Sequence, residues 1–124
     1  MTWFGASADA LARALALPQV AAHEAVGSTM DEAHRLAAGG APAGTLVLAE
    51  RQDAGRGRGG KRWSSASRAG LWLTLIERPH DARAIEVLSL RVGLRMARVL
   101  DRWTEAPIRL KWPNDLFVGS RKLA

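Results

Sequence analysis

The sequence predicts an α+β fold, an α/β-type mixed sheet flanked by helices, and three observations carry that expectation. β-prone runs such as "TLVLA" at 45–49 are uninterrupted rather than alternating, as in strands covered on both faces. Segments with helical apolar spacing lie between those runs. No internal repeat or low-complexity tail breaks the pattern.

Taken in order, residues 8–17 form an alanine-leucine helix that Pro18 stops. Residues 21–26 make a short strand. Ser28 or Thr29 then caps a helix with Asp31 and Glu32 in its first turn, and "GGAPAG" ends that helix after Ala38. The run at 45–49 is a buried strand, followed by a glycine-rich loop. "LWLTLI" at 71–76 reads as a second buried strand, closed by "ERPHD". Over 84–103 the spacing of Ile85, Leu88, Val92, Met96, Val99 and Trp103 predicts one long amphipathic helix. Arg91, Arg95, Arg98 and Arg102 are its solvated face. "IRLKW" is a third strand, and "LFVGSRKLA" reads as a hairpin whose Gly-Ser turn suits type II′.

Composition narrows the function. The 124 residues amount to one domain at most. Eighteen Lys and Arg against 12 Asp and Glu give a net charge of +6, which suits an anionic partner. The absence of cysteine excludes disulfides, thiolate catalysis and zinc-thiolate sites. No apolar run of membrane-spanning length and no secretory leader are visible, so a soluble cytoplasmic protein without a membrane partner is expected. His23, His34 and His80 are scattered without metal-ligand spacing and read as surface or turn residues.

The loop "RQDAGRGRGGKRWSS" at 51–65 is the first chemical signal. Gly55, Gly57 and Gly60 formally match G-x-G-x-x-G, and Glu77 lies near the spacing of a ribose-binding acid. No helix opens at the last glycine, however, so no helix N-terminus would face a pyrophosphate. No Ser or Thr follows Lys61 to make a Walker loop. An arginine-glycine loop anchored between two strands suits one small, highly charged ligand better than a nucleic-acid backbone. Arginine supplies a planar charged fork, and glycine lets backbone N–H groups approach an anion. Trp63 is either a flat face for a ring or a core anchor. "KWPNDL" at 111–116 is the second signal: Pro113 fixes a turn at a strand end, aiming Asn114 and Asp115 off that end beside Lys111, as a nucleotide site needs.

With "GST" at 27–29 and "RKLA" at 121–124, these motifs closely resemble the catalytic domain of biotin–protein ligases, in the biotin/lipoate ligase superfamily. The resemblance runs from about Val20 to the last residue. It implies the class II aminoacyl-tRNA synthetase-like catalytic fold, here incomplete. Residues 1–124 would be the N-terminal part of that domain, without the remaining sheet, a C-terminal β domain or an N-terminal winged helix, so DNA binding is not expected. It also implies ATP-dependent activation of biotin to biotinyl-5′-AMP and transfer to a lysine of a biotin carboxyl carrier protein, as in acetyl-CoA carboxylase. The truncated chain itself is expected to be inactive or impaired.

The resemblance further implies roles. Ser28, Thr29, Gln52, Gly55, Arg56 and Lys122 would bind biotin. Arg56, Gly57, Arg58, Trp63, Lys111 and Asn114 would bind ATP or the adenylate. Arg56, Arg58, Lys111, Asp115 and Lys122 would be catalytic, with Asp115 a weak contact to Mg²⁺ through the nucleotide. No tightly bound prosthetic group is implied, and a homodimer is allowed. The cations suit the chemistry, because carboxylate attack on a phosphate brings two anions together. Met30 and Gly59 depart from the family's usual Asn and Arg. A lipoate-protein ligase or octanoyltransferase-type relative and a non-enzymatic basic anion-binding module are the alternative readings.

Overall fold

A computed structural model describes residues 1–124. The chain divides into two compact units, Met1–Arg78 and Pro79–Ala124, each described in its own terms.

The first unit opens with an antiparallel ribbon, β1 (Thr2–Trp3) and β2 (Ala6–Ser7), which the sequence patterns did not reveal. Helix α1 (Ala8–Leu15) starts where Ser7 Oγ accepts from Ala10 N at 3.2 Å, and it ends on Ala16 in the left-handed region ahead of Pro18. β3 (Val20–Val26) follows, then α2 (Thr29–Ala38), β4 (Leu46–Gln52) and β5 (Trp72–Leu75). The sheet order is β3-β4-β5, with β3 parallel and β5 antiparallel to β4, so the sheet is mixed as expected. α2 is the crossover a parallel pair requires. Its far end is fixed by Arg78 Nη2, which donates to the carbonyls of Ala37 (3.1 Å) and Ala41 (2.7 Å).

β4 is covered on both sides, which explains its unbroken apolar run. Val47 packs with Ala21, Ala33, Ala41 and Ile76, while Leu46 and Leu48 pack with Val20. Trp3, Leu11, Ala12 and Leu17 close over the second cluster. Val47 and Ala49 are fully buried, and a buried valine contributes about 1.5–3 kcal/mol relative to an exposed one.

The expectation for 71–76 needs correction. β5 alternates instead of being buried throughout: Trp72 and Thr74 are half-buried, whereas Leu71, Leu73 and Leu75 are 62%, 43% and 44% exposed. The reason is one-sided cover: Thr74 meets Thr29 of α2, while Leu71, Leu73 and Leu75 stay open to solvent.

In the second unit, Asp81 caps α3 (Ala82–Leu100) by accepting from Ala84 N at 2.8 Å. β6 (Ile108–Lys111), β7 (Asp115–Val118) and β8 (Arg121–Lys122) form an antiparallel meander. Gly119 has φ +59 and Ser120 is not in the positive region, as a type II′ turn requires. The helix starts two residues before the predicted 84–103 and ends at Leu100, with Asp101–Trp103 a separate 3-10 turn, and its packed face is a different one. Gly93, Ala97 and Leu100 meet Ile108, Leu116 or Val118. Ile85, Val92, Met96, Val99 and Trp103 stay 40% or more exposed. Small residues won the contact because Gly93 lets the helix approach Leu110 and Leu116 closely, and hydrophobic spacing gives small residues little weight.

Candidate functional site

β4 delivers Gln52 to the open end of the first unit's sheet, and α2 begins beside it. Ser28 is the N-cap, with Oγ accepting from Met30 N at 3.2 Å, and it is 2% exposed. Thr29, 3% exposed, donates through N (2.8 Å) and Oγ1 (3.0 Å) to Gln52 Oε1. Its Oγ1 also lies 2.9 Å from Thr74 Oγ1. Since Thr29 spends its proton on Gln52, Thr74 must donate to Thr29. On the other side Gln52 Nε2 donates to Ser65 Oγ at 2.7 Å. Four side chains from α2, β4, β5 and the loop therefore share one polar network, with Thr29 and Ser65 buried and Gln52 and Thr74 half-buried. Ser65 and Thr74 were missed from sequence, because neither stands in a recognisable motif.

The arginine-glycine loop folds back tightly over this network. Asp53 N and Ala54 N donate to Val26 O (2.9 Å) and Gly27 O (2.7 Å), which ties its start to the end of β3. Trp63 N donates to Gly55 O at 2.8 Å and Gly57 N to Lys61 O at 2.7 Å, with Arg56 and Arg62 opposite each other in an antiparallel bridge. The tip, Arg58–Gly60, is a single 3-10 turn whose Gly59 has φ +64. No α-helix opens here, in keeping with the rejected dinucleotide reading. Gly55 is required by contact alone: a Cβ there would sit 2.5 Å from Trp63 O and 2.9 Å from Ser65 Oγ. An open cavity of about 510 Å³ lies between the arms, lined by Gln52, Gly55, Arg62, Trp63 and Ser65 among others.

Charges surround the mouth. Arg56 Nη1 donates to Asp31 Oδ1 in the first turn of α2. Arg51 Nε donates to Asp53 Oδ1 at 2.8 Å, and that bond holds the Asp53 carboxyl below the usual carboxylate range. Arg35 binds Glu32 through two nitrogens at 2.8 and 2.5 Å, which likewise lowers Glu32. His23, expected at the surface or in a turn, is instead in β3 with a side chain 15% exposed, its Nε2 3.8 Å from Glu32.

In the second unit the "KWPND" segment is a tight hairpin turn containing a cis Trp112–Pro113 bond. Asp115 is the first residue of β7 and pairs in register with Lys111, the last residue of β6. Lys122 Nζ lies 3.1 Å from Asp115 Oδ1, and Lys111 Nζ sits over the Phe117 ring, 5.4 Å from its centroid. Asn114 is exposed in the turn. No three His, Cys, Asp or Glu side chains converge, and the Asp115 carboxylate already faces the Lys122 ammonium, so these residues do not fit a protein-held metal ion. No helix is long and apolar enough to cross a membrane.

Comparison with known proteins supplies the context. The model of the biotin/lipoate A/B protein ligase family matches residues 24–124. The bifunctional ligase/repressor BirA of Bacillus subtilis is 36% identical over 101 residues, 81% of this chain and 31% of that protein. Its Escherichia coli counterpart is 44% identical over 82 residues, 65% of this chain and 26% of that protein. The biotin protein ligase of Aquifex aeolicus, solved in complex with biotin and ATP, superposes with a TM-score of 0.71 at 34% identity, covering 83% of this chain and 43% of that one. The chain thus spans about a third of the length of the curated relatives it matches.

Proposed function

Because the chain belongs to the biotin/lipoate A/B protein ligase family, we propose that it carries the biotin-recognition half of a biotin–protein ligase. In this reading the biotin carboxylate attacks the α-phosphate of ATP, forming biotinyl-5′-AMP and releasing pyrophosphate. A lysine amine of a biotin carboxyl carrier protein then attacks the acyl carbon, and AMP leaves.

The observation that carries the reading is the part-buried set Thr74–Thr29–Gln52–Ser65 at the base of an arginine-bearing loop. Both Thr29 donors are spent on Gln52 Oε1, and one Gln52 N–H is spent on Ser65. The second Gln52 N–H and the Ser28 hydroxyl proton are uncommitted by these bonds, so the site offers donors to an uncharged carbonyl such as that of a ureido ring. Arg56 and Arg58 would meet the opposite pole of the ligand, the carboxylate and then the phosphate, where charge develops. Gly55 and Gly57 would allow close backbone approach, and Trp63 would give the adenine a flat face. Lys111, Asn114 and Lys122 are assigned to phosphate and carboxylate, with Asp115 orienting Lys122. Mg²⁺ enters only as a companion of the triphosphate.

Isothermal titration of the chain with biotin and with lipoate tests the reading. Heat with biotin alone, abolished by Gln52→Glu, is expected. Binding of lipoate in place of biotin overturns it in favour of a lipoate-handling relative. No biotin heat together with steeply salt-dependent nucleic-acid binding overturns it in favour of a basic binding module.

A further inference from the structure

The first turn of α2 carries two carboxylates with different commitments. Glu32 is occupied by its own helix, through the two Arg35 bonds at 2.8 and 2.5 Å. Asp31 reaches outward and accepts from Arg56 Nη1, across 25 residues of sequence. Arg56 needs such a partner. Its backbone is fixed between Gly55, whose carbonyl accepts from Trp63 N, and Gly57, whose N–H donates to Lys61 O. The antiparallel bridge also sets it opposite Arg62, and like charges directly opposite repel.

We propose that Asp31 is a positioning residue for Arg56, aiming its guanidinium at the anionic pole of the ligand. The inference rests on the ligase reading above. A guanidinium has five N–H donors in a rigid fork, and Asp31 takes one of them. The other four stay available to a carboxylate or phosphate, so the pair orients the fork without occupying it. Both side chains are about half exposed (59% for Arg56, 52% for Asp31), which leaves the fork accessible to a ligand arriving from solvent. Asp31 touches no substrate in this account; it acts through Arg56.

The test compares the wild-type chain with Asp31→Asn and Asp31→Glu in two measurements. The first is calorimetric binding of biotin against biotinol, the neutral alcohol of the same shape. Asp31→Asn is expected to weaken biotin about two- to fivefold, the range carried by exposed ion pairs, and to leave biotinol unchanged; Asp31→Glu restores biotin. The second needs no ligand. Trypsin must extract an arginine side chain to cleave, so Asp31→Asn should raise cleavage after Arg56 relative to cleavage after Arg58. Equal weakening of biotin and biotinol would make Asp31 merely structural and overturn the proposal. So would an unchanged biotin affinity or an unchanged cleavage ratio. A wild-type chain that binds neither probe contradicts the ligase reading instead, and the cleavage ratio then decides whether Asp31 holds Arg56.

Discussion

Replacing Gly55 with alanine isolates the contact on which the loop's fold depends. The new Cβ would stand 2.5 Å from Trp63 O, 2.9 Å from Ser65 Oγ and 3.1 Å from Gln52 Nε2. Restoring ordinary contact near 3.4 Å moves the Trp63 carbonyl by roughly 1 Å, and a backbone atom cannot rotate aside as a side chain can. The Trp63 N–H···Gly55 O bond, 2.8 Å long, shares that backbone and is lost with it. Overpacking of this kind costs about 1–3 kcal/mol. Hydrogen exchange of the Trp63 amide should therefore accelerate about fivefold to a hundredfold, at about 1.4 kcal/mol per tenfold. The Val47 amide in the sheet centre should not change. Gly27→Ala is the control, since its Cβ meets nothing within 4 Å. An unaltered Trp63 amide in Gly55→Ala, or equal acceleration in Gly27→Ala, would mean that the contact at Gly55 does not hold the loop.

Thr29→Val removes the acceptor of the Thr74 hydroxyl and leaves Gln52 Oε1 with the backbone N–H of residue 29 alone, at a cost of about 1–3 kcal/mol; urea denaturation should show it, and adding Thr74→Val should cost clearly less than it does alone. Glu32 has a folded pKa lowered by Arg35, so its stabilisation is present above the ordinary glutamate value, about 4.3, and is lost as pH falls through the folded one. Wild-type melting temperature should accordingly drop more steeply than that of Glu32→Gln across that window, and parallel curves would contradict the pair. At Gly93 an added Cβ would meet Leu110 Cδ1 at 2.5 Å, the end of a flexible side chain. Relief by a rotamer change costs about 0.5–1.5 kcal/mol against a helix gain of about 1 kcal/mol. Gly93→Ala should therefore leave stability nearly unchanged, while Gly93→Leu, whose extra atoms have no such escape, should lower it measurably in the same urea assay.

Sequence patterns located these features unevenly, for physical reasons. β4 was visible as an apolar run because both its faces are covered, and the start of α2 because a short polar side chain there signals a cap, although Ser28 and Thr29 served that signal equally and the structure assigns it to Ser28. "LWLTLI" looks the same whether its second face is covered or not, so the exposure of Leu71, Leu73 and Leu75 could not be read. The α3 stripe misled in the same way, since Gly93 and Ala97 pack by being small. Asp31 carried a local signal, a favourable charge at a helix start, which concealed its distant pairing with Arg56. Gln52, Gly55 and the arginines were found through a motif, whereas Ser65 and Thr74 join the site only once β4, β5 and the loop converge. Asp115 was assigned to a turn, but it belongs to the strand after it.

The bridge between Gln52 and Ser65 joins the two ends of the loop by both backbone and side chains. It sets a kinetic boundary. Residues 53–64 form a ring closed at its base, and the entropy of bringing those ends together is absorbed when the sheet folds rather than when a ligand arrives. In the proposed ligase reading, a ligand would still have to immobilise the apex at Arg58–Gly60 and a few long side chains. Capture would then be a local event, and on that reading loop mutations should alter residence time well before they alter melting.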